Sequence, residues 1–291
     1  EDIQAAAELF QPMYEQSAGG DGYVRLEVSP YLANDTWGTI EEARRLWQRV
    51  NRPNLMIKIP ATKAGLPAVT QAISEGINVN VTLIFSRQRY AEVMDAYISG
   101  LEQRAEQGLP LDKIASVASF FVSRVDTKVD ALLKEIVQKG SSTAEEIGSL
   151  LGQAAIANAR LAYADFKEVF GDRRFQKLKQ LSARIQRPLW ASTGTKNPQY
   201  SDVMYVDELI GPDTVNTVPP HTLEAFLDHG RVRLSLEENL DKARKVLADL
   251  EPLGIHVEDV TRQLEEEGVR SFADAFTALL QVIDGRRLAI E

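Results

Sequence analysis

Along the 291 residues, apolar positions repeat with two different periods, and the two kinds of stretch alternate. Ile3, Ala6, Ala7 and Phe10 have helical spacing, so the chain is expected to begin inside a helix. Gly19, Gly20 and Gly22 mark a loop. Residues 23–29 then alternate strictly, with Val24, Leu26 and Val28 on one face and Arg25, Glu27 and Ser29 on the other, which predicts a strand. Thr39 and Glu42 have the spacing of a capping box and predict a helix to about residue 50. Residues 54–62, Asn-Leu-Met-Ile-Lys-Ile-Pro-Ala-Thr, form a short apolar run interrupted by Lys58 and read as a second strand. A helix over 64–74 ends near Gly76, and residues 77–85 give a third strand with Asn78, Asn80 and Thr82 on one face.

Ser86 is placed to cap a helix running through Gln107, and residues 114–122 predict a fourth strand with Arg124 just beyond it. Helical spacing then dominates from 126 to about 184, with Ser142 and Glu145 as another capping box. Pro188 to Ser192 and Thr214 to Val218 are the last two strands, on either side of a helical segment around Tyr205 to Ile210. Ser235 with Glu238 predicts a helix to about Leu250, and two amphipathic segments follow, Val257 to Glu267 and Ser271 to Ile283.

Strands alternating with helices imply βαβ units and a parallel sheet. A doubly wound open sheet would have near-continuous apolar strands and often a Gly-x-Gly-x-x-Gly turn, which is absent. A polar stripe on one face of several strands fits a closed barrel instead, with that face turned inward. The expectation is a single (β/α)8 barrel domain over 1–291, six strands recognisable, with residues 231–291 as a helical C-terminal part.

Composition narrows the chemistry. The net charge of −9 argues against nucleic acid or an anionic membrane as the main partner, and no run of 18 uncharged apolar residues exists. A cytoplasmic protein is expected. Without cysteine there is no thiol nucleophile or cysteine-ligated metal, and His221, His229 and His256 have no ligand spacing.

Lys58 is the candidate nucleophile. An ammonium buried without a partner costs several kcal/mol, roughly, and escapes by losing its proton. The bland alternative is a solvated lysine on an edge strand, suggested by Pro60 and Lys63; Lys63 itself reads as a solvated charge. Glu27 is either a proton carrier for Lys58 or an ion partner of Arg25. Asn80 and Thr82 either face a substrate or bond to neighbouring strands. Taken together, an amine, a carboxylate and an Asn/Thr pair on three adjacent strands suit Schiff-base chemistry, in which the iminium is the electron sink for cleaving a carbon–carbon bond.

Four stretches carry a resemblance: Leu55-Met-Ile-Lys-Ile-Pro-Ala-Thr62, Glu75 to Phe85, Ala118-Ser-Phe-Phe-Val-Ser-Arg-Val-Asp126 and Trp190-Ala-Ser-Thr-Gly-Thr-Lys-Asn-Pro198. In this order they closely resemble the transaldolase family, in particular a bacterial branch ending with a segment like Val257 to Gly268. The resemblance implies a cytoplasmic transferase of the pentose phosphate pathway, acting on sugar phosphates without metal or organic cofactor. By motif, Lys58 would form the Schiff base, Glu27 would act through a water held by Thr82, and Asn80 would bond donor hydroxyls. Ser119, Arg124, Ser192 and Lys196 would hold phosphate, with Phe121 shaping the pocket near the water; many family members carry an arginine near the position of Lys196. Relatives that release free dihydroxyacetone, the fructose-6-phosphate aldolases, resemble a tyrosine where this chain has Phe121.

The resemblance begins just before the family's third strand. An aspartate from its first strand and a Thr-Ser-Asn-Pro segment from its second have no counterpart here. The expectation is therefore a chain that lacks two βα units, or is written without them, with impaired cleavage or sugar-phosphate binding alone as an alternative activity.

Overall fold

A computed structural model describes residues 1–140 and 143–288. Six parallel strands, β1 (Val24–Glu27), β2 (Leu55–Pro60), β3 (Val79–Ile84), β4 (Ser116–Phe121), β5 (Gln186–Ala191) and β6 (Val215–Asn216), pair in sequence order. Helix α1 (Asp2–Gln16) precedes them. Between strands run α2 (Thr36–Val50), α3 (Gly65–Ser74), α4 (Arg87–Glu106), then α5 (Ser123–Gln138), α6 (Ala144–Gly148), α7 (Ala154–Gly171) and α8 (Arg173–Gln180) before β5, and α9 (Met204–Asp207) before β6. The chain continues through α10 (Pro220–His229), α11 (Leu240–Leu250) and α12 (Val257–Leu288).

Each strand lies beside its predecessor without reversal. With crossovers of one hand, such an order puts the helices on one face of a curling sheet, as in a (β/α)8 barrel, whereas a doubly wound sheet reverses its order. The six strands are thus consecutive staves of a partial (β/α)8 barrel. Their outward residues make the core: Leu55, Ile57 and Ile59 are 0% exposed, and α2 packs Ile40, Ala43, Leu46 and Val50 inward. Each such aliphatic chain contributes about 1.5–3 kcal/mol on burial. Asn54, fully buried at the foot of β2, donates to Ala7 O (2.8 Å) and Gly22 O (2.9 Å) and so ties α1 to the sheet. Asn78 donates to Leu55 O (3.2 Å) and accepts from Ala115 N (2.9 Å), spanning three strands.

Several expected helix ends differ. Thr39 is not a cap: α2 starts three residues earlier, Asp35 accepts from Gly38 N (3.0 Å), and the Thr39 hydroxyl donates to Leu32 O. Glu42 pairs with Arg45 instead. Ser142 lies outside the described residues; Thr143 and Glu146 form the capping box of α6. Ser235 accepts from Ile210 N (3.0 Å), a tertiary bond that competes with capping, and α11 begins only at Leu240. Ser86 does cap α4, accepting from Arg89 N.

The two expected C-terminal segments are one helix, α12. Gly268, in the gap between the two expected segments, lies within it where the helix crosses β3; a methyl there would stand 3.1 Å from Leu83 Cδ2. Leu83 itself has φ +60° at an irregularity between Val81 and Ile84. Close approach to this bulge explains the glycine.

Candidate active site

The parallel register aligns Glu27 with Lys58 and Lys58 with Asn80. Paired residues of neighbouring strands project to the same face, so the three side chains form one rung across the sheet. Lys58 Nζ donates to Glu27 Oε2 at 3.1 Å, and Ser119 Oγ donates to Asn80 Oδ1 at 2.7 Å, extending the rung to β4. Glu27 therefore partners Lys58 and not Arg25. The cause expected for an activated amine, burial without a partner, is not found: the Lys58 side chain is 23% exposed and has this carboxylate beside it. It is half-buried on an inner strand, between β1 and β3, and not on an edge. Lys63 is exposed.

One step toward the strand ends, Thr82 pairs in register with Pro60. Its hydroxyl is buried with no hydrogen-bond partner among the described residues. A buried hydroxyl left unpaired costs on the order of 1–3 kcal/mol, so this atom is poised for a small polar guest.

The turn after β2 fixes where Lys58 points. Thr62 Oγ1 accepts from Gly65 N (2.9 Å), and its own hydroxyl donates to Ala33 O. Gly65 passes so near Pro60 that a Cβ would lie 2.0 Å from the Pro60 carbonyl oxygen. No larger residue fits there without moving the end of β2.

Phe121, the last residue of β4, packs on Phe85 with centroids 5.1 Å apart, and the Arg124 guanidinium lies 5.5 Å from the centroid of the Phe121 ring. Arg124 is in the first turn of α5. Ser192, just past β5, adopts φ +57°, and its hydroxyl is 2.9 Å from that of Ser123. Lys196 follows in an exposed loop. Neither Arg124 nor Lys196 forms an ion pair among the described residues. Glu27 ends β1 and Phe121 ends β4, while Arg124, Ser192 and Lys196 lie just beyond strand ends, the end at which barrel enzymes place their chemistry; Lys58 and Asn80 sit deeper, within β2 and β3.

Two contributions escaped the sequence pattern. Helix α12 crosses this end, and Lys58 Nζ lies 5.5 Å from the ring centroid of Phe272. Phe272, Phe276 and Leu279 of α12 face Leu26, Glu27 and Val28 across a cavity of about 450 Å³. Only a helix unbroken at Gly268 delivers Phe272 there. The other contribution is Asp126, which lies within a recognised stretch but had no role in it.

Asp126 is 1% exposed; it accepts from Ala155 N (2.7 Å) and Tyr205 OH (2.8 Å). Burial pushes its carboxyl up to about 7, although both hydrogen bonds pull the other way. An unfolded aspartate titrates near 3.9, so the folded chain holds this proton more tightly than the unfolded one. The group's contribution is therefore full below about pH 4 and is lost as pH rises through about 7. We expect the wild type to lose stability relative to Asp126→Asn across that window by on the order of a few kcal/mol, read from urea midpoints at a series of pH values. A difference that stays constant with pH would refute this.

A separate cavity of about 380 Å³ is lined by Arg160, Glu208 and Arg233. Arg160 and Arg233 both pair there with Glu208, each at 2.5 Å, and the cavity holds none of the candidate residues. Among the described residues no cluster of three or more His, Cys, Asp or Glu could hold a metal, and no helix is long and apolar enough to cross a membrane.

Comparison with known proteins identifies the family. A family described as transaldolase/fructose-6-phosphate aldolase matches residues 1–283. A transaldolase of Mycolicibacterium smegmatis is 53% identical over 98% of this chain and 76% of its own length. Those of Mycobacterium tuberculosis and Thermobifida fusca are also 53% identical, over 97% and 96% of this chain and 74% of their own lengths. A match along nearly all of this chain carries nothing about what precedes Glu1. The rung of Glu27, Lys58 and Asn80 on a parallel barrel sheet, joined to these matches, means that the chain belongs to the transaldolase/fructose-6-phosphate aldolase family.

Proposed function

We propose that this protein is a transaldolase, with Lys58 as its Schiff-base residue. The carrying observation is the rung itself, with Lys58 Nζ 3.1 Å from Glu27 and in register with Asn80. The amine attacks the ketone of fructose 6-phosphate or sedoheptulose 7-phosphate. Glu27, working through a water held by Thr82, supplies the proton with which the carbinolamine hydroxyl leaves as water. The iminium takes up the electron pair of the C3–C4 bond, an aldose phosphate departs, and a three-carbon enamine stays on Lys58. Addition of this enamine to the aldehyde of glyceraldehyde 3-phosphate or erythrose 4-phosphate, followed by hydrolysis, completes the transfer. Cleavage also requires a base for the C4 hydroxyl proton.

Asn80, oriented by Ser119, holds donor hydroxyls. Arg124 with Ser192 and Lys196 receives the phosphate, a fork and a point charge near the start of α5, whose dipole also favours an anion. Phe121 brings no hydroxyl beside the water, which supports transfer over the hydrolytic fructose-6-phosphate aldolase reaction. The iminium is the only electron sink required, so no metal or organic cofactor enters the scheme. Residues 1–291 work as a single barrel domain with 231–291 as its helical part, in the cytoplasm, where phosphorylated sugars are retained by their charge.

The test is borohydride reduction with fructose 6-phosphate, followed by peptide mass analysis. The expected adduct lies on the peptide containing Lys58. An adduct elsewhere sinks the assignment, and none on folded protein favours sugar-phosphate binding without catalysis.

A further inference from the structure

Helix α5 presents two buried carboxylates one turn apart, and each makes the same pair of bonds. Asp126 takes Ala155 N and Tyr205 OH, as described; Asp130 takes Gly152 N at 2.9 Å and Tyr200 OH at 2.6 Å. The backbone donors come from the turn just before α7, Gly152, and from its first turn, Ala155. The tyrosines belong to the segment that leaves β5, passes through Lys196 and enters α9. That segment is fastened to α5 at its other end too, where Ser123 N donates to Ser192 O (3.1 Å) and the two serine hydroxyls meet. Thr193 adds a bond to Asn216 Oδ1 (2.8 Å), and Thr195 closes the loop on Ser201 O (2.8 Å). Arg124 sits in the first turn of the same α5.

A buried carboxylate is a poor choice if packing is all that is wanted, since an apolar residue of similar volume avoids the desolvation cost. Two of them, each spending one oxygen on a tyrosine of a single loop, instead fix where that loop lies. We infer that Asp126 and Asp130, acting through Tyr205 and Tyr200, are positioning residues that hold Ser192 and Lys196 at a set distance from Arg124, and so set the enzyme's preference for phosphorylated sugars. This rests on the reading of Arg124, Ser192 and Lys196 as the phosphate site. Ser192 at φ +57° fits the picture, because a non-glycine residue in that conformation persists only where its surroundings hold it.

Tyr200→Phe and Tyr205→Phe each remove one hydroxyl and keep the ring. Two measurements decide. The affinity for inorganic phosphate, titrated calorimetrically, should fall about tenfold in each variant, the scale of one lost bond to a charged group. The ratio of half-saturating concentrations for Lys58 adduct formation, dihydroxyacetone against fructose 6-phosphate, should shrink by a similar factor. A merely structural role would move both half-saturation values together, and that result, or unchanged phosphate affinity, overturns the inference. Arg124→Ala separates the two readings. If it leaves phosphate affinity intact, the phosphate site itself is wrong and this inference falls with it; if it abolishes affinity while both tyrosine variants bind normally, this inference alone falls. The phosphate titration needs no Schiff base, so it decides even if no adduct forms. Tyr200 is only partly buried, so Tyr200→Phe carries the test should Tyr205→Phe fail to fold.

Discussion

Lys58→Arg is expected to abolish both the borohydride-trapped adduct and dihydroxyacetone transfer, a loss on the order of 10⁴-fold or more, as for removal of other enzymatic nucleophiles. Arginine preserves the positive charge beside Glu27, 3.1 Å away in the wild type, so the sheet keeps its cross-strand pair. A guanidinium is always protonated and offers no lone pair to a ketone. The variant should therefore fold, keep its unfolding free energy within about 1 kcal/mol of the parent, and still bind sugar phosphate. Intact mass after reduction gives the answer. Wild-type adduct yield in the folded variant would remove Lys58 from the chemistry, whatever the family resemblance implies.

Glu27→Gln should leave the amine in place but slow its reaction. The amide is nearly isosteric with the carboxylate and cannot shuttle a proton, so Schiff-base formation is expected to slow by about 10²–10⁴-fold, the usual range for a lost acid–base group. The same adduct should still accumulate on long incubation, because the nucleophile survives. Quenching with borohydride at successive times measures that rate. An unaltered rate would return Glu27 to the role of a plain charge partner and point to another proton carrier.

The candidate site was legible in the sequence wherever a polar or charged side chain interrupts a strand's period. Lys58 breaks an apolar run, Glu27 alternates with Val24, Leu26 and Val28, and Asn80 and Thr82 stripe one face of β3; in parallel strands those alternations settle which side chains meet. What could not be read was anything decided by distant contacts. Thr39 and Ser235 look like caps, but tertiary partners at Leu32 and Ile210 take their hydroxyls. The gap expected between Glu267 and Ser271 is closed by a continuous helix, with Gly268 where β3 presses on it. Helix α10 had no counterpart among the expected elements, although Pro220 is well suited to the first position of a helix. Asp126 and Phe272 were invisible as contributors, since their partners lie 79 and 214 positions away in the chain.

On the proposed role of Lys58, the alignment of Glu27, Lys58 and Asn80 on one rung also makes assembly and activity inseparable. In a strand, slippage by a single residue reverses the side of the sheet on which every side chain emerges. Were β2 to dock one position late against β1 and β3, Lys58 would face the helices, Ile57 or Ile59 would face the barrel, and no local rearrangement would restore the site. The apolar residues flanking the lysine thus act as proofreaders. Their demand for the greasy side of the sheet discards misaligned chains, so every molecule that finishes folding presents the amine in the same direction.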